Sequence, residues 1–186
     1  MKRILLFAAV VSLIAGQLNA QDAVFAKGDK VLNLGLGLGT SLYHGRYWKS
    51  QIPPVSASLE FGVADNIIDE KGLIGIGPYL GYTSYKYQVV DWGWKYSNFI
   101  LGVKGNFHYL FVDNLDTYAG ILLGYNVSSS KEFGVITPGY DYSYSAGGLI
   151  YGGFVGARYY FKESFAVMAE AGYGLTYLTL GVSLKL

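Results

Sequence analysis

Between Asn98 and Phe111 the chain reads NFILGVKGNFHYLF, and the lysine in the middle of this apolar run limits what the run can become. Phe99, Leu101, Val103, Phe107, Tyr109 and Phe111 share one side of a period-two pattern, and Asn98, Gly102, Lys104, Asn106 and His108 share the other. Such alternation is a strand with one oily and one polar face. The oily face is too continuous to be left in water, and the polar face must meet something that accepts a cation. A membrane-spanning barrel meets both needs, because lipid takes the outer face and a polar interior takes the inner one.

The N-terminus predicts export. Lys2 and Arg3 precede an apolar core from Ile4 to Ala15, and Leu18-Asn19-Ala20 offers a cleavage site before Gln21. The core is about a dozen residues, short of the ~20 that a spanning helix requires. Residues 1–20 therefore read as a signal peptide, and residues 21–186 as one barrel domain. Cysteine is absent, which excludes a disulfide framework, a thiolate metal site and a lipidated cysteine anchor. A net charge of +1 gives no electrostatic case for nucleic acid as a partner. Tyrosine occurs 18 times, a usage that suits rings placed at both water boundaries of a membrane barrel.

The alternation recurs along the chain. Lys30 to Ser41 turns Leu32, Leu34, Leu36 and Leu38 outward and Asn33, Gly35, Gly37 and Gly39 inward. Its Gly-x-Gly-x-Gly run is not a nucleotide loop, since no helical pattern follows and the glycines share one strand face. Further strands are predicted over 55–63, 73–85, 98–111, 117–128, 149–161, 165–174 and 178–186. Leu42–Pro54, Lys86–Lys95 and Ser129–Ala146 read as long loops, and Asp65–Lys71, Asp113-Asn114 and Lys162–Ser164 as short turns. About eight strands with alternately short and long connections predict an all-β, eight-stranded antiparallel up-and-down transmembrane β-barrel.

Glu60, Lys104, Arg158 and Glu170 lie well inside predicted strands, and all four fall on the non-lipid parity of their own segment. They predict a salt-bridge network in the lumen, with Arg158 and Glu170 as a near-diagonal pair across the Lys162–Ser164 turn. A register slipped by one residue would put Lys104 and Arg158 into lipid at roughly 2–4 kcal/mol each near the midplane. A soluble lipocalin-like barrel has a similar strand count, but it would need the polar face outside. The leucine ladders here suit lipid better.

On these residues the chain resembles the OmpA-type membrane domain and its small OmpX-like and porin-family relatives of Gram-negative bacteria. The resemblance covers 21–186 and is architectural. It implies an outer-membrane location and an interior plug built by Glu60, Lys104, Arg158 and Glu170. Two departures are the lack of a C-terminal peptidoglycan-binding domain and Leu186 where an aromatic residue commonly ends such barrels.

Enzymatic and metal readings find little support. Some eight-stranded outer-membrane barrels are lipid A deacylases with a His-x-Ser pair, but Tyr109 and Leu110 follow His108 here, and Gly45 and Arg46 follow His44. No nucleophile, base and orienting group come together. The two histidines stand far apart without a carboxylate cluster at ligand spacing, so no metal and no cofactor are expected. His108 reads as a hydrogen-bonded lumen residue and His44 as a solvated one. Tyr43, Tyr47, Trp48, Trp92, Trp94, Tyr140, Tyr142 and Tyr144 gather on the predicted long loops, as either an interfacial girdle or a binding surface for an extracellular protein or glycan. The expected function is thus structural or adhesive, in a monomer whose other partner is outer-membrane lipid. The alternatives are a narrow or gated channel, a lipid-modifying enzyme and a soluble ligand-carrying barrel.

Overall fold

The computed structural model describes residues 25–43, 45, 47–68, 71–89, 92–134 and 143–186. The expected signal peptide, His44, Tyr140 and Tyr142 lie outside them. Eight strands follow in order: β1 (Lys30–Leu38), β2 (Trp48–Ile67), β3 (Gly72–Val89), β4 (Trp92–Val112), β5 (Leu115–Phe133), β6 (Ser143–Lys162), β7 (Phe165–Tyr173) and β8 (Leu178–Lys185). Each pairs antiparallel with the next, and β8 pairs with β1, which closes the barrel. At the end that carries Lys30 and Lys185 the turns are short. The β4–β5 turn is made possible by Asn114, which takes a left-handed φ of 60°, a conformation that its short polar side chain tolerates.

Strand faces follow the alternation. Leu36, Leu101, Ile121, Leu123 and Leu149 lie exposed on the outer wall, Leu149 to 89%. Lys104 and Arg158 are buried at 7% and 0%. An apolar wall of this extent exceeds what a soluble domain leaves in water and matches a lipid-facing band.

Among the described residues, 48–54, 86–89, 92–95, 129–133 and 143–146 of the three stretches expected as long loops are strand, which corrects that reading. β3 and β4 stay in register from Gly72↔Tyr109 to Val89↔Trp92, so only residues 90–91 join them. β5 and β6 pair as far as Lys131↔Ser143. β2 begins at Trp48 and passes through Pro53 and Pro54, where a register shift between Ile52 and Val55 accommodates residues without a ladder donor. Away from the hydrocarbon both sheet faces carry polar and aromatic side chains, so hydropathy stops alternating while hydrogen-bonded pairing continues.

The barrel is therefore uneven in height. β1 pairs with β2 only up to Leu36↔Val55, and β6 pairs with β7 only up to Gly153↔Tyr173. Beyond those levels β2 to β6 continue as a five-stranded sheet that stands clear of the closed wall.

Candidate functional site

The interior is layered, and its lowest layer begins outside the strands. Phe25, ahead of β1, is 2% exposed and packs with Val31 and Leu73 across the mouth near the termini. Backbone bonds hold it there: Gly28 N–H donates to the Gly62 carbonyl (2.9 Å) and Gly62 N–H to the Asp29 carbonyl (3.0 Å). Lys185 bonds the Asp29 carboxylate at 2.6 Å. Neighbouring strands thereby fasten a segment with no regular structure of its own.

Above Phe25 four ionisable side chains form a closed ring. Arg158 donates through Nη2 to Glu60 Oε2 and through Nη1 to Asp116 Oδ2 (3.1 Å). His108 Nε2 faces Glu60 Oε1 and its Nδ1 faces Asp116 Oδ1, each at 2.7 Å. Two acceptor carboxylates against two ring nitrogens suit the doubly protonated imidazole, and the ring then balances two negative charges against two positive ones. Asn106 adds a bond from Nδ2 to Glu60 Oε1 at 2.6 Å. The His108 ring packs against Phe25 with centroids 4.8 Å apart, and Arg158 lies 4.7 Å from the Tyr118 ring centroid.

Such large polar groups fit because facing positions are empty of side chain. A β-carbon at Gly75 would meet the Glu60 carboxylate, and one at Gly156 would lie 2.6 Å from the Tyr118 ring. Buried charges survive in this setting only when paired and hydrogen-bonded, and glycine leaves the room for that pairing.

A second group sits higher. Lys104 Nζ donates to Glu170 Oε1 (2.6 Å), Tyr118 Oη donates to the same oxygen (2.9 Å), and the ammonium lies 4.0 Å from the Phe154 ring centroid. A cavity of about 40 Å³ adjoins it, enough to admit water. Tyr79, Ile100, Leu122 and Leu175 then form an apolar layer, with Leu42, Ile150 and Phe154 packed against it. The connection after β1 is bonded onto the one after β7, with Thr40 Oγ1 donating to the Leu175 carbonyl (3.1 Å) and Ser41 Oγ to that of Gly174.

The four charges singled out from the sequence thus fall into two groups, Glu60 with Arg158 and Lys104 with Glu170. Arg158 and Glu170 are diagonal neighbours as expected, since Arg158 stands opposite Met168 and Glu170 opposite Gly156, but their charged groups pair elsewhere, Arg158 with Glu60 and Asp116 and Glu170 with Lys104. Sequence reasoning missed Asp116, because it precedes the predicted strand start at Thr117, although it shares the inward parity of Tyr118 and Gly120. Phe25 carried no strand signal at all. Among the described residues no histidine–carboxylate group could hold a metal ion, and the ring carboxylates are taken up by Arg158 and His108.

The aromatic side chains expected on loops stand mainly on the tall sheet. Tyr43 stacks on Trp48 (centroids 4.4 Å), and Tyr85, Tyr87 and Tyr96 close around this pair at 5.1 to 5.7 Å. Asn98 Nδ2 donates to Tyr43 Oη at 2.8 Å, which ties the nest to the lumen below. Tyr47 lies at its edge, 6.0 Å from Tyr87. Trp92 donates its indole N–H to Glu132. Trp94 stands opposite Tyr87 and Glu132, on the nest face of the sheet. Tyr144 on β6 is 69% exposed.

No protein-family model matches the sequence, and no curated protein matches it. Several solved structures share its architecture, two of them with a TM-score of 0.50. A barrel from the de novo design of transmembrane β-barrels superposes with a TM-score of 0.50 at 15% identity, over 87% of this chain and 98% of that one. The fold is that of a transmembrane β-barrel. Ail, the attachment invasion locus protein of Yersinia pestis, gives a TM-score of 0.50 at 14% identity, over 86% of this chain and 95% of its own. Ail is a small eight-stranded outer-membrane barrel of the OmpA-like type, so the resemblance drawn from the sequence holds for the fold.

Proposed function

We propose that this protein is a monomeric, non-enzymatic outer-membrane barrel with a sealed lumen, which anchors an aromatic platform at the cell surface. The observation that carries the reading is the stacking of layers inside the barrel. Phe25 lies below the ring of Glu60, His108, Asp116 and Arg158, Lys104 and Glu170 lie above it, and the Tyr79–Ile100–Leu122–Leu175 layer covers them. A column filled in this way supports a plug, because an ion would have to displace paired charges and apolar side chains in succession.

Residues 1–20 serve as the export signal in this reading, and the tall sheet faces outward from the cell. The nest around Tyr43 and Trp48, with Tyr47 and Tyr144 exposed beside it, offers aromatic surface to an extracellular protein or glycan. Ail shares the fold, and the reading for this chain rests on its own aromatic residues. Catalysis is disfavoured by the ring itself, since Glu60 holds the histidine nitrogen that would otherwise activate a nucleophile.

The test is membrane fractionation followed by planar-bilayer recording. The protein is expected in the outer-membrane fraction, to migrate differently in heated and unheated gel samples, and to give no steady unitary conductance. A steady conductance whose ion selectivity changes in Lys104→Ala would replace the seal with a narrow channel. Recovery from the soluble periplasm would restore the soluble barrel.

A further inference from the structure

The outer face of the tall sheet carries a row of lysines that neither the seal nor the aromatic nest uses. In the ladder Lys49 stands opposite Lys86, Lys86 opposite Lys95, and Lys95 opposite Lys131. Cross-strand partners point to the same side of a sheet, so four ammonium groups line up across β2 to β5 over about 14 Å. Lys49, Lys95 and Lys131 are exposed, and Lys86 is partly covered by the Phe133 ring, 3.9 Å from its ammonium. Among the described residues none of the four has an ion-pair partner, and the Glu132 carboxylate nearby accepts from Trp92.

Like charges placed directly opposite one another destabilise a sheet. Protection of a sheet edge does not account for them, because lysines serve that purpose on edge strands, and Lys86 and Lys95 stand on interior strands of the five.

Their position on the wall indicates the counter-charge. Leu80, Leu101, Tyr125 and Leu149 form one outward row, and Tyr82, Phe99 and Val127 form the next. Above these comes a hydroxyl row, Ser84, Ser97, Ser129 and Ser145, of which Ser84 is buried and donates to the Tyr96 carbonyl, and above that the lysines. The lipid-facing surface thus passes from apolar to aromatic to hydroxyl to cationic. The lysine row lies four residues, about 13 Å along the strand, beyond the last large apolar row, and lysine stems can reach back toward the boundary.

We infer that the Lys49–Lys86–Lys95–Lys131 row binds the phosphorylated headgroups of outer-leaflet glycolipid. The inference rests on the membrane reading above. The ammonium groups neutralise headgroup phosphates, the Ser97, Ser129 and Ser145 hydroxyls hydrogen-bond the sugars beneath, and bound phosphate relieves the repulsion between opposed lysines. Soluble polyanions are disfavoured as the natural ligand, because the row continues the lipid-facing wall instead of facing the aromatic nest.

The test reconstitutes the full chain into phosphatidylcholine vesicles that carry either a bisphosphorylated glucosamine-disaccharide lipid or its dephosphorylated form, and measures lipid retained on the purified barrel. The phosphorylated lipid should be enriched, and Lys86→Gln with Lys95→Gln should lower its retention about 30-fold, at roughly fivefold per lysine near a charged surface. Lys71→Gln with Lys162→Gln, at the opposite rim, should leave it unchanged. Equal retention of both lipids by a correctly inserted barrel would overturn the inference, as would equal loss in the opposite-rim variant. Lysine-dependent binding of heparin in detergent without phosphate discrimination among lipids would assign the row to a soluble polyanion instead. Failure to insert would remove the membrane reading itself, and gel migration of unheated samples separates that outcome from the others.

Discussion

The wall at the level of Glu60 and the wall at the level of Lys86 are built from continuous strands and solve opposite problems. At the lower level eight strands close, the inside is narrow, and charge is tolerated only as the paired ring of Glu60, His108, Asp116 and Arg158. At the upper level five strands stand open and water reaches both faces. Four lysines can then face one another without partners among the described residues. Burial, rather than residue type, thus decides whether a charge in this protein is structural or available.

The largest effect is expected from removing one member of the ring. Arg158→Ala leaves two buried carboxylates short of a partner and should destabilise the barrel by about 3–5 kcal/mol, read from guanidinium titration in vesicles by gel migration of unheated samples. A loss below 1 kcal/mol would mean that the ring is wet. Gly75→Val pushes a side chain onto the Glu60 carboxylate and should cost about 1–3 kcal/mol through overpacking, checked by the same titration.

In the tall sheet the effects should be smaller and local. Trp48→Ala removes ring contacts worth about 1 kcal/mol, expected as faster proteolysis near the nest with the barrel midpoint shifted far less than in Arg158→Ala. Equal shifts would show that both levels unfold as one unit. The smallest effect should come from Lys95→Gln, which relieves two opposed pairs. Stability is expected to rise by about 0.2–1 kcal/mol at low salt and to return to the wild-type value at high salt as screening removes the repulsion.

The two levels also differed in how far they could be read beforehand. Where lipid lies on one side and the lumen on the other, each residue faces one environment or the other, so the parity of Leu101 against Lys104 was legible directly. Above the hydrocarbon that contrast disappears. Lys86–Lys95 therefore read as a loop, although it continues the β3–β4 ladder to Val89↔Trp92. In the site, Glu60, Lys104, Arg158 and Glu170 were visible as inward charges, and Asp116 was hidden one residue ahead of the predicted strand start.

Alternation in the chain determined the strand count, the closed architecture, the face that each side chain takes and the inward placement of the strand charges, because a period of two is a local property of the backbone. Partner choice came from tertiary structure. Whether Arg158 meets Glu170 or Glu60 depends on side-chain reach across a lumen whose width only the closed barrel defines, and the lysine row depends on strand register. Phe25 belongs to the same class, since its seat is formed by β1, β3 and β4 and by nothing in its own sequence.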